Sequence, residues 1–210
     1  MSDDKPLVTH IFTADPSAHV FNGKIYVYPS HDIETPQEDN DNGDQYAMKD
    51  YHVLSIDSLS PLTGVKDHGV VLSVEDVPWA DKQMWAPDAA EKNGKFYLYF
   101  PARDREGVFR IGVAVSDKPE GPFKAEDKAI EGSYSIDPAS FVDDDGEAYL
   151  YFGGLWGGQC KCFSVSFCLS LSLCLCFFVS IQNPALESRY QKFPTFSYLQ
   201  AYQKYIQKLP

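Results

Sequence analysis

Three stretches of this chain repeat one design. They read ADPSAHVFNGKIYVYPSHD (14–32), APDAAEKNGKFYLYFPARD (86–104) and IDPASFVDDDGEAYLYFGG (136–154). Each opens on an aspartate beside a proline: Asp15-Pro16, Pro87-Asp88 and Asp137-Pro138. Each then reaches a turn dipeptide, Asn22-Gly23, Asn93-Gly94 or Asp145-Gly146, and runs into alternating aromatics, IYVY, FYLY or AYLY. Asn-Gly or Asp-Gly between alternating apolar runs signals a β-hairpin, because that turn needs positive φ at both central residues. A hairpin unit repeated along a chain builds a propeller or array. In a propeller the innermost strands of all blades face one axis, so acids at equivalent blade positions converge on one pocket. Three scattered aspartates thereby become a candidate active site.

The segments between the repeats fit blades. The second repeat continues into RIGVAVSDKPEGPF (110–123), a second strand pair with a Pro-Glu-Gly-Pro turn. The first is followed by YHVLSIDSLSPLTGVKDHGVVL (51–72), two strand-like runs around turn residues. One blade therefore reads as two hairpins. Gly23 to Gly94 spans 71 residues and Gly94 to Gly146 spans 52, a loose period with a long insert in the first blade. That insert, HDIETPQEDNDNGDQYAMKD (31–50), is polar and acidic and reads as a loop near one face.

Over roughly residues 8–159 the chain resembles glycoside hydrolase family 43. The residues that carry the resemblance are ADPSAHVFNGKIYVYPSHD, MWAPDAAEKNGKFYLYFPARD, the turn SDKPEGPF, and SIDPASFVDDDGEAYLYFGGLWGG, in that order. The resemblance implies a five-bladed, all-β propeller acting on xylan and arabinan side chains, closest in wording to xylosidase or arabinofuranosidase members. It implies an inverting mechanism with three carboxylates. Asp15 matches the general base of the first blade. Asp137 matches the third-blade aspartate that orients the general acid and raises its pKa. The acid itself is a glutamate on the next blade, and no residue after 159 matches it. Glu120 sits in a different motif and Glu187 lies in NPALESRY, which resembles no blade, so no general acid is assigned. Inversion needs one carboxylate to activate water and a protonated carboxyl to reach the leaving oxygen, ~6.5–9.5 Å apart. Family members often hold an axial calcium through later blades; here no residue is assigned to a metal, and no cofactor is expected.

Each candidate has a plainer reading. Alone, Asp15 and Asp137 would be turn residues, since Asp-Pro commonly starts turns; with the repeat and the resemblance, catalysis is the better reading. Asp88 reads as structural, bonding backbone amides near the axis. Trp85 is either a core aromatic or a wall on which a sugar ring stacks. His31 follows the first inner hairpin and either faces the pocket, as a second substrate-binding residue, or lies in a surface loop. The acid runs at 143–146 and 39–44 lack calcium-loop spacing and a following bidentate glutamate, so solvated turns are expected there.

The character of the chain changes at Gln159. Residues 160–181 read CKCFSVSFCLSLSLCLCFFVSI and hold all five cysteines. Residues 1–159 carry 13 basic and 29 acidic side chains, net −16; residues 160–210 carry 5 and 1, net +4. Four readings of this tail compete. A membrane helix would use the uncharged 162–181, diluted by serines. A disulfide or metal framework would use cysteines that lack CxxC spacing and are odd in number. A strand fits the alternation of Leu169, Leu171, Leu173 and Leu175, and would add to the open edge of the third blade. The favoured reading is a frameshift or retained intron, a tail never selected as protein. The domain expectation is thus a partial propeller over 8–159, about two and a half blades, and a non-homologous low-complexity tail over 160–210.

The acidic balance argues against nucleic acid or anionic membrane as partners; a xylo- or arabino-oligosaccharide is the partner the resemblance implies. MSDDKPLVTH lacks the apolar core of a secretory leader, leaving open a cytoplasmic product or one missing its true N-terminus. Two functions are carried forward. One is an inverting β-xylosidase or α-L-arabinofuranosidase, inactive in this truncated form. The other is a catalytically dead carbohydrate-binding fragment, or a gene-model artefact.

Overall fold

The computed structural model describes residues 5–153 apart from Asp145, and the backbone of 161–165 and 178–179. All extended elements are antiparallel strands. The first sheet is β1 (Phe12–Phe21), β2 (Lys24–Asp32), β3 (Asp50–Ile56) and, after a small hairpin of β4 (Ser58–Leu59) and β5 (Leu62–Thr63), β6 (Lys66–Ser73). A 3-10 turn at Val74–Asp76 and the short β7 (Ala80–Lys82) lead to the second sheet. It is formed by β8 (Asp88–Lys92), β9 (Lys95–Asp104), β10 (Phe109–Ser116) and β11 (Lys124–Ala125), with β7 pairing the far end of β9. The third sheet begins with β12 (Ile136–Val142) and β13 (Ala148–Gly153) and continues through β14 (Lys161–Val165) to β15 (Phe178–Val179). These are consecutive blades of a partial β-propeller, and β1, β8 and β12 are their innermost strands, each paired on one side only.

The turn chemistry explains the hairpins. Asn22-Gly23 and Asn93-Gly94 are two-residue turns with φ of 53° and 75°, and of 55° and 73°, the geometry that matches the strand twist. The third turn is longer than the dipeptide predicts. The Gly146 N–H donates to Asp143 O at 2.8 Å, the Asp143 N–H to Glu147 O at 2.8 Å, and Gly146 has φ 83°. That is a three-residue loop closing on a left-handed glycine. The β9–β10 turn repeats it through Asp104, Gly107 and Val108.

Alternation along β9 shows how blades stack. Phe96, Leu98, Phe100 and Ala102 enter the core against the first blade, with Tyr28, Tyr51, Val53, Leu72 and Met84. Tyr97 and Tyr99 face the opposite way, into the core shared with Leu150 and Phe152 of the third blade. A strand buried on both faces reads as continuous apolar residues, as YLYF does. Each such large side chain taken from water contributes about 1.5–3 kcal/mol. The buried phenols are satisfied across the blade junction: Tyr28 donates to Pro119 O at 2.7 Å and Tyr51 to Trp85 O at 2.6 Å.

The insert between β2 and β3 carries no strand and docks on the second blade. Gln83 donates to Gly43 O at 2.7 Å, Trp85 Nε1 to Tyr46 O at 2.8 Å, and the buried Arg103 to Asn42 O. Gly43, at φ 73°, lies so close to the Trp85 ring that a Cβ would stand 2.8 Å from it. The polar run 39–44 is a solvated turn, as expected: Asp44 accepts from Asn40 and Asn42 and pairs with Lys82.

Candidate active site

Two of the three Asp-Pro motifs share a backbone distortion. On β1, Ala14 pairs with Ser30 and Ser17 with Tyr28, so Asp15 and Pro16 together oppose Pro29. On β12, Ile136 pairs with Gly153 and Ala139 with Tyr151, so Asp137 and Pro138 together oppose Phe152. Each is a β-bulge, two residues against one. The cause is local, since proline offers no N–H to the ladder and is tolerated within a sheet at bulges and edges. Asp15 has φ 45° and Asp137 φ 55°, a conformation that costs a non-glycine residue about 1–3 kcal/mol. Bulges of this kind re-aim a side chain.

The two re-aimed carboxyls are close enough to sense one another. Asp137 is pushed up to about 6, first by burial of its carboxyl and second by the charge of Asp15. The residue as a whole remains open to solvent, which tempers that push. Asp15 is exposed, open to water.

Asp88 behaves differently. Its proline precedes it, outside the strand, and Asp88 pairs in regular register with Tyr99. It is 6% exposed. Its carboxylate accepts from the Ser140 N–H at 2.5 Å and the Ser140 hydroxyl at 2.7 Å, and lies 2.7 Å from His19 Nε2. Ser140 follows Asp137 on β12, and His19 follows Asp15 on β1. Asp88 therefore bridges the two bulged strands, bonding a backbone amide as the sequence reading expected.

The remaining candidates lie in other surroundings. Trp85 is half-buried, its N–H spent on the insert and its ring 4.4 Å from that of Phe109. His31 pairs across the hairpin with Thr13, two residues before Asp15. Its Nδ1 is 2.8 Å from Asp50 Oδ1 and its ring meets His52 edge-on at 4.8 Å. Glu120 acts electrostatically on Lys24, Tyr26 and Tyr28 of β2, and is not among the causes that shift Asp137. Glu187 lies outside the described residues, as do most of the cysteines and the 162–181 span apart from short strand backbone. Among the described residues, no helix is long and apolar enough to cross a membrane. The sequence reading missed His19 and Ser140, which belong to the repeats but stand out only once Asp88 is seen between them.

Antiparallel blades with carboxylates on their innermost strands define the class as a partial β-propeller. Residues 5–164 match the family Glycosyl hydrolases family 43, and the chain belongs to that family. It is 73% identical over 158 residues to Xylosidase/arabinosidase 43A of Humicola insolens, covering 75% of this chain and 48% of that protein. It is 57% identical over 159 residues to a xylosidase/arabinosidase of Bacteroides ovatus, covering 75% and 48%. Among solved structures it is similar to a family 43 β-xylosidase/α-arabinofuranosidase from a compost microbial metagenome, in complex with xylotriose. That match has a TM-score of 0.70 and 66% identity, over 74% of this chain and 46% of that one. The chain thus spans about half the length of the relatives it matches.

Proposed function

We propose that the residues described here form the base side of an inverting glycosidase site for xylo- or arabino-oligosaccharides. Asp15 is the general base that activates water, and Asp137 is the supporting carboxyl that tunes the acid. The observation that carries this reading is the pair of matched bulges at Asp15 and Asp137, with the two carboxyls electrostatically coupled. Each bulge holds an aspartate at positive φ, and such cost is tolerated where geometry matters. The named activities of the relatives, and xylotriose in one of them, supply the substrate class.

A base without an acid performs half of the reaction. Losing general-acid catalysis removes ~10²–10⁴-fold of rate, and no carboxyl among the described residues is assigned that role. On this reading the described residues bind such sugars without supplying efficient catalysis by themselves. Aryl xyloside and arabinofuranoside hydrolysis by the purified chain tests this, alongside calorimetry with xylotriose. Weak or no turnover is expected, with xylotriose binding weakened by Asp15→Asn. Robust turnover abolished by Asp15→Asn would overturn the inactive reading and require an acid within this chain. Absence of both turnover and binding would sink the sugar site.

A further inference from the structure

A second polar cluster lies beside the strand that carries Asp15. His31 closes β2, and Asp50 and His52 open β3. One ligand atom from each lies within 4.8 Å of the other two. His31 Nδ1 is 2.8 Å from Asp50 Oδ1. His52 Nε2 is 3.9 Å from the same oxygen, too far for a hydrogen bond yet within the span of two ligands on one ion. His52 is 8% exposed. Its other nitrogen, Nδ1, is held at 3.0 Å by both oxygens of Asp67, and Asp67 is itself fixed by the Gly69 N–H and by His10. A buried imidazole oriented by a carboxylate on one nitrogen, with the other aimed at a carboxylate and a second imidazole, is the arrangement found around metal-bound histidine.

We propose that His31, Asp50 and His52 bind a borderline transition-metal dication, with Zn²⁺ as its representative. Two imidazoles and one carboxylate suit zinc and its neighbours, whereas calcium and magnesium favour all-oxygen sets. Three protein ligands leave a fourth tetrahedral position for water. Zinc would sit about 2.0–2.2 Å from each ligand atom, so the His31–Asp50 contact opens slightly and His52 closes in. His31 and Asp50 flank the insert 33–49, so the ion clips the mouth of that loop to the first blade. Asp67 is a positioning residue for His52.

The test uses the full chain with Ser in place of Cys160, Cys162, Cys168, Cys174 and Cys176, since thiolates would compete for zinc. Calorimetric titration with zinc chloride should give one site per chain, not displaced by millimolar calcium. His31→Gln or Asp50→Asn should weaken it at least ~10-fold, and Asp67→Asn by ~10–100-fold. If a variant at buried His52 fails to fold, the wild-type histidines provide the readout. In proton NMR, zinc should shift His31 and His52. It should spare His19, held by Asp88, and His68, bonded to Ser55 on another part of the blade. No one-to-one binding, binding that survives both His31→Gln and Asp50→Asn, or shifts confined to His19 and His68 would each overturn the proposal.

Discussion

The second blade departs from the first and third at the one position where all three look alike. Asp15 and Asp137 precede their prolines and sit in bulges, while Asp88 follows its proline and sits in a regular ladder. The order of the two residues differs with the outcome. In β1 and β12 the Asp-Pro pair lies inside the strand and is accommodated as two residues opposing one, a place where proline's missing N–H is tolerated. Proline just before the strand costs nothing there and lets the aspartate enter in register. The bulged acids sit at positive φ and meet each other electrostatically. The regular acid turns into the protein and takes three hydrogen bonds. One motif thus yields two bulged carboxyls that sense each other and one strut between the strands that hold them.

The comparison is most sharply broken at the strut. Asp88→Ala would strand the Ser140 N–H and the His19 ring without their acceptor, and leave the Ser140 hydroxyl only its longer bond to Ala89 O at 3.3 Å. Leaving buried donors without their charged acceptor costs about 1–3 kcal/mol. Denaturant unfolding should show a loss of that size. Asp88→Asn, which keeps one acceptor oxygen, should cost less. Asp15→Ala, at an exposed carboxyl, should fall far below both. Equal losses at Asp15 and Asp88 would mean that the two acids do the same work.

The bulges make the opposite prediction about glycine. A residue with φ of 45° or 55° is relieved when its Cβ is removed, so Asp15→Gly and Asp137→Gly should each stabilise by about 1 kcal/mol. Asp88→Gly should destabilise as Asp88→Ala does, because its backbone is unstrained and its carboxylate is the point. A destabilising Asp15→Gly would show that the distorted backbone is held by its side chain rather than imposed by Pro16.

Much of this was legible in the residues, and the reasons differ from place to place. Asn22-Gly23 and Asn93-Gly94 announce their turns because few dipeptides tolerate positive φ twice. The 143–147 turn is one residue longer than the Asp145-Gly146 dipeptide predicts, because Gly146 serves a three-residue loop just as well. The Asp-Pro repeat exposed Asp15 and Asp137, and the reversed Pro87-Asp88 carried the clue to a different role. The grip of the insert on Gln83, Trp85 and Arg103 left no mark, since it runs mainly through loop carbonyls that any sequence supplies. His31 read either as pocket or as surface because its partners, Asp50 and His52, arrive from across the insert. The exposure of Phe12, Val20 and Val70 on the first blade and Val142 on the third is equally invisible in alternation. A strand records that it has an apolar face, not whether another blade covers it.

The finest distinction is within the bulged pair. Asp15 and Asp137 share a backbone geometry, yet Asp137 is the one pushed up, to about 6 from a usual value near 3.8. Below the usual value the carboxyl is protonated in both folded and unfolded chains, and it adds nothing to the balance. Between about 3.8 and 6 the folded chain keeps a proton that the unfolded chain has released. Stability therefore falls as pH rises through that window and stays lowered above it. Asp137→Asn removes the ionisable group, so this fall should disappear from urea midpoints measured across the same range, with a modest gain at neutral pH. Asp15→Asn should shrink the fall without abolishing it, because burial is the larger cause and the Asp15 charge the second. A carboxyl ¹³C titration of Asp137 in that variant reads the same shift directly. A fall unchanged by Asp15→Asn would place Asp15 beyond electrostatic reach of Asp137, and the matched bulges would then be two separate sites rather than one.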